Sequence, residues 1–267
     1  SQAGGLIGTV AGANTVTHSY WDADTTTQAT SAGSLGTAIR GYTNSANAFT
    51  QSTYAGFDFT DDWVMLDNLT RPMFRTDYSQ TIANARSLQL MTLDVDADYS
   101  LARDIDFHDA LSTPGDIWKG TYSEGVFQAS FTPIGTLDNP YTGTFSGNDY
   151  LIRDLVINKP DQSQVGLFGV AKNATITGVG LRHATITGQD QVGGLVGLSL
   201  QTAISDSYAD ATVRGRDEAG GLVGVNAGGA INTSYAVGRA YARNTLGGLV
   251  GRNRSENGTD ASIANTY

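Results

Sequence analysis

The sequence predicts an all-β chain wound as a right-handed parallel β-helix, with three short strands and about 27 residues in each coil, plus one irregular excursion. Three observations predict it. The string GGLVG occurs three times: Leu195, Leu222 and Leu249 lie 27 residues apart, and Leu167, in the variant VGLFG, precedes them by 28. Other residues keep the same step, with Ile176, Ile204 and Ile231 nine residues beyond their leucines and Tyr208 and Tyr235 thirteen beyond. The repeating unit is rich in Gly, Thr, Val, Asn and Ser and shows no helix-length apolar periodicity, which favours strands and turns. A unit this small cannot bury its apolar face alone, so neighbouring units must stack. Connections between parallel strands are overwhelmingly right-handed, which sets the expected hand.

Within a unit, AGGLVG, then AINTSYAV, then RAYAR or ATVRG read as the three extended segments, with Leu, Ile and Tyr forming columns along the stack. Paired glycines such as Gly193 and Gly194 are expected at corners, with positive φ and close backbone approach. A phosphate-loop reading of them is weak, because such a loop occurs once and precedes a helix. At the N-terminus, GGLIG places Leu6 before Tyr20 as though the chain opens inside a repeat. At the other end, Leu249 to Tyr267 spans eighteen residues where the preceding units span thirteen, so RNRSENGTDAS carries an insertion, expected as a loop. Ends without caps suggest a segment of a longer repetitive protein, monomeric in itself.

The units QVGGLVGLSLQTAISDSYADATVRG and EAGGLVGVNAGGAINTSYAVGRA resemble GLUG-motif repeats, found in large bacterial surface proteins similar to filamentous haemagglutinin. The stretch FTPIGTLDNPYTGTFSGNDYLIRDLVINKPDQSQVGLFG is similar to the segment leading into such an array, and ANARSLQLMTLDVDADYSLARDIDF to the module that opens one. SYWDADTTTQATSAG resembles the end of an array, and YAGFDFTDDWVMLDNLTRPMF the segment that follows one. The implied order is the end of a preceding array at 1–21, a junction or excursion packed on the solenoid at 22–80, and a second array at 81–267 with its GLUG repeats at about 165–267. Residues 36–53 carry no assignable period. The resemblance implies a secreted or cell-surface bacterial adhesin, a stalk or binding segment mediating adhesion to cells, biofilm or polysaccharide.

Composition agrees with that expectation. Acidic residues outnumber basic ones 26 to 16, with three lysines, which disfavours nucleic acid and anionic membranes as partners. Cysteine is absent, and no apolar run is long enough to cross a membrane as a helix. Polysaccharide, or a host or sister-cell surface, is the expected partner.

The search for chemistry yields little. His18, His108 and His183 stand in HSYW, HDAL and HATI, and none belongs to HExxH, so a relation to the immunoglobulin A peptidases that also carry GLUG repeats implies a non-catalytic part. No Cys and no GxSxG elbow offers a nucleophile. A polysaccharide lyase or glycosidase on a β-helix is the alternative. It requires acids and bases converging on one face, and Arg153, Arg182, Arg214 and Arg239 fall at irregular offsets that form no evident cluster. The expectation is a non-enzyme with no cofactor. Calcium is considered only at Asp94, Asp96 and Asp98, which share a face on a strand, but Tyr99 and Ile105 stand where an EF-hand needs glycine and a bidentate acid. Ligand contact is expected in the junction, at Trp21, Asp22 and Asp24 and at Asp61, Asp62 and Trp63. The aromatic set Tyr54, Phe57, Phe59, Trp63 and Phe74 reads first as a clamp and second as a sugar-stacking platform.

Overall fold

The computed structural model describes residues 3–41 and 47–267, so residues 42–46 of the aperiodic stretch lie outside the described residues. The chain divides into two compact units. Unit 1 comprises Ser1–Asp77 with Ala110–Ala129, and unit 2 comprises Tyr78–Asp109 with Ser130–Tyr267.

Unit 2 is a parallel β-solenoid. Its strands stack into four parallel sheets whose members follow one another coil by coil. In the coil led by Leu195 the strands are Asp190–Gly193, Val196–Leu200, Ala203–Ser205 and Tyr208–Arg214. AGGLVG thus forms two strands rather than one, because the backbone bends at Gly221 and Leu222 to turn the leucine inward. The predicted three-strand coil accordingly carries a fourth, short strand.

Register shows why the columns repeat. Phe145, Ile176, Ile204, Ile231 and Ile263 pair successively across coils, as do Ile152, Leu181, Ala209 and Ala236. Leu167, Leu195 and Leu222 are wholly buried, as are Ile176, Ile204 and Ile231, while Leu249 in the last coil is half-buried. Burying each such side chain contributes roughly 1.5–3 kcal/mol relative to leaving it exposed. Tyr208 and Tyr235 are only half-buried, yet their rings stack at 4.9 Å, and Tyr267 continues the stack at 5.2 Å. Tyr267 and Ile263 regain their columns beyond the insertion, which leaves the coil as a turn closed by a Glu256–Thr259 bridge.

The corners differ from expectation in one respect. Gly193 and Gly194 do not have positive φ. Their need for glycine is close approach: a Cβ on Gly193 would stand 2.2 Å from the Val196 carbonyl oxygen, and one on Gly194 2.5 Å from that of Gly221. The left-handed turns belong instead to aligned positions, Gln164, Gln191 and Glu218 at one corner and Gly178, Asp206, Thr233 and Asn265 at another. A β-branched threonine pays strain there, which the stacked neighbours must offset.

Polar residues inside the stack are bonded between coils. Ser199 Oγ donates to Asn226 Oδ1 at 3.2 Å, and Asn226 Nδ2 donates to Asn253 Oδ1 at 2.8 Å and to the Gly229 carbonyl at 3.0 Å. At the start of unit 2 a helix, Ala85–Leu90, opens with a reciprocal Asn84–Ser87 capping box and buries Leu88 and Leu90. Its buried Gln89 amide bonds the Thr132 backbone in both directions.

Unit 1 is irregular. Tyr20–Asp22 pairs in parallel with Thr37–Ile39, Trp63–Val64 pairs antiparallel with Met73–Phe74, and Gly120–Ser123 forms a hairpin with Val126–Ala129. Its core joins Ile39, Phe49, Tyr54 and Met65, with Tyr20, Phe57 and Phe59 against them.

Candidate functional site

In unit 1 the expected contact residues separate into two groups. Trp21 is buried, and its indole Nε1 donates to the Gln28 carbonyl at 2.8 Å. Asp22 caps the short helix Ala23–Thr26 by accepting from the Asp24 amide at 2.8 Å, and its other carboxylate oxygen pairs with Arg71. Asp24 accepts from Arg40 at 2.8 Å and from the Gly41 amide at 3.0 Å, and its side chain is all but buried. Charges so enclosed need these partners, so Trp21, Asp22 and Asp24 are engaged internally.

Asp61, Asp62 and Trp63 are placed otherwise. The Asp58 carboxylate accepts the amides of Thr60 and Asp61 at 2.7 and 3.0 Å, a turn that holds both acids at the surface. Those amides, that of Asp61 foremost, keep the Asp58 carboxyl below its ordinary value. Trp63 stacks between Phe57, at 4.3 Å, and Phe74, at 4.5 Å, and Phe74 is 56% exposed. The stack runs inward through Phe57 to Tyr54, whose hydroxyl donates to the Ala48 carbonyl at 2.6 Å and whose ionisation burial pushes up to about 12. The five aromatic residues thus include both an anchor, Tyr54, and an exposed ring, Phe74. Beside that ring, Arg75 is tied by its guanidinium to the Phe59 carbonyl at 2.8 Å.

In unit 2 the acidic run laces coils together. Asp96 accepts from the Thr142 hydroxyl at 2.6 Å, Asp98 from the Thr144 amide at 2.7 Å, and Asp104 from the Leu151 amide and Arg153 at 2.9 and 2.8 Å. Asp94 is exposed and bonds through its backbone carbonyl to the Tyr99 hydroxyl. Among the described residues no group of three or more His, Cys, Asp or Glu side chains converges as a cation cage. His183 lies between Asp154 at 3.8 Å and Asp210 at 4.0 Å, one coil to either side and open to solvent.

A basic groove in unit 2 was not singled out from the sequence. A depression of about 390 Å³ is lined by Pro160, Asp161, Thr187, Gln189, Arg214, Arg216 and Arg243. Of the four arginines weighed from sequence, only Arg214 reaches it, while Arg153 is tied to Asp104. Arg216 and Arg243 are one period apart, as are Asp190 and Asp217, and that spacing was the available signal. The corner backbone fixes their rungs: the Arg216 amide donates to the Gln189 carbonyl and the Arg243 amide to the Arg216 carbonyl.

Residues 188–214 match the GLUG motif, so this coil is a GLUG repeat. The chain is similar to halomucin of Haloquadratum walsbyi (strain DSM 16790 / HBSQ001), 33% identical over 106 residues, which make up 39% of this chain and 1% of halomucin. Among solved structures it is similar to that of a "putative immunoglobulin A1 protease" from Bacteroides ovatus, with 19% identity over 70% of this chain and 64% of that one and a TM-score of 0.44.

Proposed function

We propose that the chain is a binding segment of a secreted or cell-surface protein, an adhesin that engages polysaccharide or a host or sister-cell surface and performs no chemistry itself. The observation that carries this reading is the Trp63–Phe74 stack, with its outer ring open to solvent beside Asp61 and Asp62. A sugar presents an apolar C–H face to such a ring and hydroxyl donors to such acids. The GLUG coil and the similarity to halomucin support a place on the cell surface. The use of Asp96, Asp98 and Asp104 as acceptors between coils supports a structural rather than a catalytic part for the acids. Binding by one shallow stack is weak, and strength comes from many copies acting on one surface.

The test is retention of the purified chain on a glycan and exopolysaccharide array, with calcium and with chelator, while the eluted glycans are sized. Intact, retained glycans that the Trp63→Ala variant no longer holds are expected. Shortened glycans would replace the adhesin with a carbohydrate-active enzyme, and retention unchanged in Trp63→Ala would remove the aromatic stack.

A further inference from the structure

We propose that the groove lined by Arg214, Arg216 and Arg243 binds the carboxylate of an acidic sugar, a uronate unit within a polysaccharide. This site lies within unit 2 and stands independently of the aromatic stack in unit 1.

The three guanidinium groups are not equivalent, and their differences define the ligand. Arg216 is fixed: it donates through Nε and Nη2 to the two oxygens of Asp190 at 3.1 and 2.6 Å, and an Asp217 oxygen lies 3.5 Å from the same Nε. Asp217 is itself held by the Asn244 amide. Arg214 lies over the ring of Tyr241 at 5.3 Å, an arrangement that orients the guanidinium without neutralising it. Neither Arg214 nor Arg243 has an ion-pair partner among the described residues, and both are exposed. Asp190 and Asp217 take up the charge of Arg216, so the guanidinium groups of Arg214 and Arg243 are the ones left to meet a ligand. Planar, bidentate donors of this kind match a carboxylate.

Several features select a sugar acid over a denser anion. Asp161 lines the same groove and would repel a phosphate dianion or a nucleic-acid backbone. It also offers an acceptor for hydroxyl groups, with the Thr187 hydroxyl and the Gln189 amide beside it. The lining residues come from four successive coils, about 14 Å along the stack at the ~4.8 Å spacing of paired strands, enough for a short oligosaccharide. One carboxylate among many hydroxyls fits these donors and acceptors.

The test is calorimetric titration of the full chain with tetragalacturonate at low salt, set beside neutral maltotetraose and inorganic phosphate. Saturable binding of tetragalacturonate alone is expected, weakened about tenfold by Arg243→Gln or Arg214→Gln, which is one charge-assisted contact, and lost in the double variant. Melting temperature stays at the wild-type value in Arg243→Gln, which breaks no ion pair, and falls by no more than about 2–4 °C in Arg214→Gln, which loses the exposed contact with Tyr241, while Arg239→Gln, outside the groove, titrates as wild type. Absence of saturable heat with tetragalacturonate, equal binding of maltotetraose or phosphate, or wild-type binding by the double variant would each overturn the proposal. So would shortening of the oligosaccharide during titration. Trp63→Ala leaves this titration unchanged, which separates failure of this site from failure of the aromatic one.

Discussion

Unit 2 and unit 1 solve the same problem, holding polar and charged groups out of water, by opposite means. In the array the partner of a polar side chain is its counterpart one coil away: Ser207 Oγ accepts from the Val179 amide 28 residues earlier, and Ser234 Oγ from the Ser207 amide 27 earlier. In unit 1 the partners are singular. Asp24 finds Arg40 sixteen residues on, and Asp22 finds Arg71 forty-nine on, with no second copy of either pair among the described residues. A repeated device distributes stability over many equivalent contacts. A singular one concentrates it, so one substitution removes all of it.

The largest expected effect tests the array. Leu222→Asp places an unpaired carboxylate in a column without solvent contact, a cost of several kcal/mol against a total stability of about 5–15 kcal/mol. Far-ultraviolet circular dichroism of the purified variant should lose its β signal, and a wild-type melting curve would take Leu222 out of the core. Next comes the singular pair. Arg71→Met strands Asp22, with both side chains largely buried, and breaking such a pair costs about 3–5 kcal/mol. Hydrogen exchange across residues 47–75 should accelerate, and retained protection there would show that the pair does not hold the segment. Asn226→Ala is smaller, about 1–3 kcal/mol, because it leaves Asn253 and the Gly229 carbonyl without their partner while the flanking coils keep their own backbone ladders. A urea midpoint equal to wild type would mean that water replaces the amide.

The same contrast explains what could be read from the sequence. The array was legible because each column is written several times: three copies of GGLVG and the isoleucines nine residues beyond fixed the period, and the pairing of Ile176, Ile204 and Ile231 follows it residue for residue. The fourth strand was not, since Gly221 and Leu222 mark a bend that composition alone cannot separate from an extended run. Glycine was read through φ at Gly193 and Gly194, where crowding between coils is the cause. In unit 1 nothing repeats, so the enclosure of Asp22 and Asp24 depends on Arg71 and Arg40, which no local pattern connects to them. The basic groove falls between these cases. Its Arg216–Arg243 period is present in the sequence, but of Arg153, Arg182, Arg214 and Arg239, the arginines that the sequence reading weighs, only Arg214 belongs to it.

The smallest effect comes from Asp104, which belongs to the array but behaves like a surface group. It accepts from the Leu151 amide and from Arg153, and these bonds, the amide foremost, hold its carboxyl below the ordinary value of 3.8. A carboxyl lowered in the fold favours folding when ionised. Its contribution is therefore complete above the ordinary value and is lost as pH falls through the lower, folded one. Because the side chain is 47% exposed, solvent screens the pair, and Asp104→Asn should cost under about 1 kcal/mol at neutral pH. The sharper signature is the slope: melting temperature plotted against pH should fall less steeply below about pH 4 in the variant than in the wild type. Parallel acid limbs would show that the Asp104 bonds are as loosely held as its exposure, and that this acid adds nothing to the stability of the array.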